Sequence, residues 1–117
     1  MLWVELVSKP GSDEIAAFTS DSNNNLYSAI WDGTAFVGGQ DLTSGAPLTT
    51  AGGSLTPGEY KTFDAAYEQV SGDLLVAWGR ADYFIDYSVY NGSTWSNGTA
   101  FNPPINGYLV HFVMCFV

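Results

Sequence analysis

Ser28-Ala29-Ile30-Trp31-Asp32-Gly33-Thr34-Ala35-Phe36 and Tyr87-Ser88-Val89-Tyr90-Asn91-Gly92-Ser93-Thr94-Trp95 are two versions of one pattern. A run that ends in an aromatic meets Asp-Gly or Asn-Gly, and a second aromatic follows. Asp-Gly and Asn-Gly between apolar runs are strong hairpin signals. Gly takes the positive φ of a tight turn, and the Asp or Asn side chain bonds the turn's own amides. The same hairpin twice in one chain indicates an internal repeat.

The repeat extends upstream. Trp3-Val4-Glu5-Leu6-Val7 precedes Pro10-Gly11-Ser12-Asp13, and sixty residues on, Phe63-Asp64-Ala65-Ala66-Tyr67 precedes Val70-Ser71-Gly72-Asp73. Ile15-Ala16-Ala17-Phe18 then matches Leu75-Val76-Ala77-Trp78, with one residue fewer in the turn that leads to the second hairpin. Each copy reads as three strands and a short fourth, of alternating or wholly apolar character. A helical reading of 64–70 yields to the repeat match. The expected fold is therefore all-β: two four-stranded antiparallel meanders over 1–39 and 61–102, joined by a Gly/Thr/Pro-rich connection over 40–60. Residues 103–117 begin a third copy that stops at an orphan apolar strand.

Composition excludes several functions. Against 12 acids stand only Lys9, Lys61 and Arg80, a net charge of -9. A nucleic-acid binder must neutralise phosphates, and an anionic membrane surface makes the same demand, so neither is a partner. The apolar tail from Tyr108 to Val117 is about half the length of a spanning helix. Met1-Leu2-Trp3 enters a strand pattern directly, without a secretory leader, so the chain reads as intracellular or as a mature or truncated piece. Low Lys with abundant Thr, Asn and Gly favours the second of these, at an extracellular or cell-surface location. Cys115 is the lone cysteine, in an apolar run, and reads as a buried thiol. His111 lies about 13 Å from it if the segment is extended, and has no second ligand at metal-binding spacing.

The aromatic-Asp/Asn-Gly-x-x-aromatic element, Trp31 to Phe36 and Tyr90 to Trp95, resembles the outer hairpin of a β-propeller blade. The likeness is to the sialidase-like propeller repeats of secreted proteins, through nearly the whole of each copy, including Ser12-Asp13-Glu14-Ile15-Ala16 and Ala66-Tyr67-Glu68-Gln69. More distantly, it is to fucose-binding lectins that carry two blades per chain and close as trimers into a ring, with a Trp-Asp-Gly-x-x-Trp hairpin. The resemblance implies blade architecture and, through the lectins, self-association and sugar binding. It does not carry their sites over. Thr19-Ser20-Asp21 keeps only the beginning of the sialidase Asp-box, and Arg80 is no arginine cluster. The lectins' sugar-holding arginine and glutamate positions fall on Ala16 and Val76, and on Ser28 and Tyr87.

Among polar residues, no pair of carboxylates separates an acid from a base, so no catalytic residue is assigned, Asp64 and Glu68 included, and no enzyme is expected. Asp13 and Asp73 read as turn residues whose side chains bond backbone amides. Asp21, Asn23 and Asn25 have the spacing of a calcium loop but lack its glycine and closing glutamate; they read as a polar turn, with no metal or other cofactor. Asn91-Gly92-Ser93 and Asn97-Gly98-Thr99 are glycosylation sequons in expected turns. Trp31, Tyr83, Tyr90 and Trp95 are the candidate ligand-binding rings, suited to stack on a glycan. A meander leaves a face and two edges open. The expected partner is therefore a second copy, in a ring or a filament. Tyr108, Leu109, Val110, Phe112, Val113 and Phe116 form the candidate assembly strand.

Overall fold

A computed structural model describes residues 3–44, 62–79 and 85–97, and every regular element within them is a β-strand. β1 (Trp3–Ser8), β2 (Ile15–Ser20), β3 (Leu26–Trp31) and β4 (Phe36–Asp41) form one antiparallel sheet in sequence order. β5 (Phe63–Tyr67), β6 (Leu74–Gly79), β7 (Ile85–Tyr90) and the short β8 (Trp95–Asn97) form the second, in the same order. These are the two expected meanders. The orphan strand, with Tyr108, Leu109, Val110, Phe112, Val113 and Phe116, lies outside the described residues, as does most of the connection.

The boundary expected at residue 39 falls inside β4. The first sheet continues because Leu42 donates its N–H to Leu26 O at 2.8 Å, while Thr43 Oγ1 accepts the Leu26 N–H at 2.8 Å. Thr43 is thus held as a further rung beside β3, and both Leu42 and Thr43 are buried.

The pairing register refines the repeat. Trp31 pairs with Phe36 across the first hairpin and Tyr90 with Trp95 across the second, a displacement of 59 residues (31 to 90). The same displacement carries Ile15↔Trp31 onto Leu74↔Tyr90, and Ser8↔Ile15 onto Tyr67↔Leu74. The Lys9 N–H to Glu14 O bond likewise becomes Glu68 N–H to Asp73 O. Counterparts are therefore Val4 and Phe63, not Trp3 and Phe63, and no residue is lost between the copies. The sequence match slips by one because β1 carries Trp3, Val4, Leu6 and Val7 on both faces. A strand apolar on both sides does not specify its register, and a slip of one exchanges its faces.

Each hairpin turns through four residues. Asp32 Oδ1 accepts the N–H groups of Thr34 and Ala35, both at 2.8 Å, and Asn91 Oδ1 accepts those of Ser93 and Thr94 at 3.0 and 2.9 Å. Gly33 and Gly92 follow at φ +100° and +95°, where a Cβ is disfavoured. In the β1–β2 and β5–β6 turns, Ser12 and Ser71 hydroxyls accept the N–H of Glu14 and Asp73. The amide-bonding role expected of Asp13 and Asp73 thus falls to the serines, because at the true displacement Asp73 answers to Glu14.

The two sheets pack face to face. Ala16, Phe18, Leu26 and Ile30 of the first meet Phe63, Ala65, Tyr67, Leu74, Val76, Trp78 and Tyr90 of the second in one core, with Trp3, Val7 and Trp95 at its margin. Phe18 sits at its middle, its ring 6.5 Å from those of both Phe63 and Trp95. Burying one such side chain contributes about 1.5–3 kcal/mol, which a single open sheet does not obtain.

Candidate functional site

Two polar clasps fix the junction between the sheets. At one end the Tyr67 hydroxyl donates to Glu14 Oε1 at 2.9 Å. Lys9 Nζ lies 3.9 Å from the same Glu14 oxygen and 5.9 Å from the centre of the Tyr67 ring. Its stem passes so close to Gly72 that a methyl group there would stand 3.0 Å from Lys9 Cε. Burial, and then the bond to Glu14, push the Tyr67 phenol well above the ordinary tyrosine range. At the other end Trp95 Nε1 donates to Gly38 O at 3.1 Å. Gly38 has φ +62°, and a Cβ there would meet Ile30 and Tyr90 at 3.5 Å. Those are ordinary contact distances, so it is the positive φ inside β4 that calls for glycine there.

The opposite face of the first sheet is bare. Alternation along the strands places Val4, Leu6, Ile15, Ala17, Ala29, Trp31 and Phe36 on it, together with Ser8, Thr19 and Tyr27; Ile15, Ala17, Ala29 and Trp31 are half-buried. Val4 is 55% exposed, Leu6 66% and Phe36 68%. Displaced by the repeat, the first seven of these positions become Phe63, Ala65, Leu74, Val76, Ser88, Tyr90 and Trp95, the face of the second sheet that is seated in the core. The stacking is thus head to tail. The second sheet uses one face of the repeat, the first sheet uses the other, and the first sheet's equivalent of the seated face stays open.

The candidate ligand rings divide accordingly. Tyr90 is buried and Trp95 half-buried, their ring centres 5.2 Å apart inside the junction. Trp31 and Phe36 repeat that pairing, edge to face and also at 5.2 Å, on the open face. Tyr83 lies outside the described residues. Phe36, which the hairpin pattern marks as the counterpart of Trp95, is exposed beside Trp31.

Asp21 is engaged by donors. Its Oδ1 accepts the N–H of Asn23 at 2.9 Å and of Asn25 at 3.0 Å, and its Oδ2 accepts from Asn25 Nδ2 and the Tyr27 hydroxyl. These bonds, led by the Asn25 amide, hold its carboxyl below the usual range. The loop is a polar turn with Asn24 at φ 63°, and Asn23 and Asn25 serve it as donors. Among the described residues no group of His, Cys, Asp or Glu is placed to hold a metal ion. Glu68 accepts the backbone N–H groups of Ser71 and Val70, which lower its carboxyl pKa, and so anchors its turn. Asp64 bonds its neighbour's amide, Ala65 N–H, at 2.9 Å.

Comparison of the chain with protein-family models, curated proteins and solved structures finds no match. No helix among the described residues is long and apolar enough to cross a membrane. What stands as a site is therefore a surface: the open apolar face of β1–β4, bearing the Trp31–Phe36 pair.

Proposed function

We propose that this is a non-catalytic, extracellular or cell-surface β-repeat protein that self-associates, each copy completing the stack of propeller-like blades begun by its neighbour into a ring or a filament. The exposure of Val4, Leu6 and Phe36 on one sheet face carries this reading. Large apolar side chains gathered on one face, rather than scattered singly, mark an interaction surface. Those three side chains, more than half exposed, offer on the order of 5 kcal/mol gross. That reaches only the low end of the cost of association, about 4–15 kcal/mol, so the whole face is needed. The strand route expected of Tyr108 to Phe116 concerns residues outside those described, and the blade-face route has the geometric support.

A second reading is a lectin-like module. The exposed Phe36 beside the half-buried Trp31 favours it, since rings of this kind stack on sugar faces. Light scattering of the full chain over a wide concentration range tests both. Association predicts a mass rising above that of one 12.6 kDa chain, and a Trp31→Ala variant that associates less. A chain monomeric throughout, whose glycan-array binding disappears in Trp31→Ala, would leave the lectin reading standing alone.

A further inference from the structure

We propose that association is head to tail and heterologous. The open face of one copy's first sheet receives the outer face of a second copy's second sheet, in the same way that β1–β4 and β5–β8 meet within one chain. This inference rests on the self-association just proposed and adds its polarity and its two surfaces.

The occupant follows from the repeat. Within the chain, the face bearing Phe63, Ala65, Leu74, Val76, Tyr90 and Trp95 is seated on the face bearing Val7, Ala16, Phe18 and Ile30. The first group's equivalents on the other sheet are the exposed Val4, Leu6 and Phe36 and the half-buried Ile15, Ala17 and Trp31. The second group's equivalents are the half-buried Ala66, Leu75 and Val89 and the buried Ala77, on the second sheet's other face, where Tyr87, opposite Ala77, is exposed. A second copy carries the outer surface whose counterpart already packs in the core. The contact of Phe18 with Phe63 and Trp95 becomes that of Ala77 with Val4 and Phe36, so smaller side chains meet there.

The clasps do not carry over. Tyr67 answers to Ser8, whose hydroxyl sits on a much shorter side chain, and Trp95 to Phe36, which has no donor, while Lys9 answers to Glu68. The junction between copies thus lacks the phenol and indole clasps and is weaker than the one within the chain. A heterologous contact closes into a ring if its rotation permits and otherwise grows as a filament.

Two variants test the polarity. Leu6→Glu blocks the open face at a residue outside the core, with Phe36→Asp as a second version. Tyr87→Glu blocks the opposite surface at another exposed residue. Head-to-tail docking predicts that each is monomeric alone and that an equimolar mixture forms a 1:1 dimer, twice the chain mass by light scattering, because each supplies the face that the other lacks. Recovery of the dimer also shows that both variants fold. If Tyr87→Glu alone still dimerises while Leu6→Glu does not, the open faces pair with each other and the polarity is wrong. If both variants associate like the unaltered chain, or the mixture stays monomeric with both folded by circular dichroism, the two surfaces are wrong while self-association stands. A monomeric unaltered chain would instead remove the underlying reading.

Discussion

Tyr67 joins the sheets through a single hydroxyl, and its environment makes that bond sensitive to alkali. Its folded pKa is raised, so the protonated phenol is favoured in the native state. The contribution is complete below the ordinary tyrosine pKa of about 10. It declines as pH rises above that value, where the unfolded chain releases the proton and the folded chain keeps it. Urea unfolding between neutral and alkaline pH should show stability falling above about pH 10. In Tyr67→Phe that fall should be shallower, with the remainder from Tyr90, which burial raises in the same direction. The variant should also lose about 1.5–3 kcal/mol at neutral pH, the usual worth of a hydrogen bond to a charged acceptor. An unchanged alkaline slope would show that the Tyr67–Glu14 bond does not bear on the junction.

At the scale of the element, the two hairpins solve one problem with different chemistry. Asp32 and Asn91 each accept two loop amides, but only Asp32 titrates. Its carboxyl is lowered, first by the Ala35 N–H and then by that of Thr34. Its contribution is therefore present above the unfolded aspartate pKa and is lost as pH falls through the lower folded value. Asp32→Asn, which copies Asn91, should reduce the loss of thermal stability on acidification below about pH 4, with little change near neutrality. Calorimetry across that range checks it, and an identical acid profile would reject the assignment. These hairpins were legible in the sequence because Asp-Gly and Asn-Gly are local signals. The displacement between copies was less so: β1 is apolar on both faces, and only its pairing with β2 decides which face turns inward.

For the whole molecule, charge opposes what the apolar face favours. Copies that each carry a net charge of -9 repel one another, and salt screens that repulsion over a Debye length of about 10 Å at 0.1 M. Self-association through an apolar face should therefore strengthen as sodium chloride rises from low to physiological concentration, as read by sedimentation equilibrium. Weakening over the same range would mean that ion pairs, not the open face, hold the copies together.

The residue order by itself determined the all-β class, the twofold repeat, the hairpin positions and the strongly acidic charge balance. Each of these depends on local turn chemistry, on alternation or on net charge. Tertiary structure alone decided that Tyr90 and Trp95 face the junction while Trp31 and Phe36 stay open, and that Gly38 receives the Trp95 indole. Those outcomes depend on which face of each sheet meets the other. Period-two strands with apolar residues on both sides leave that choice to packing.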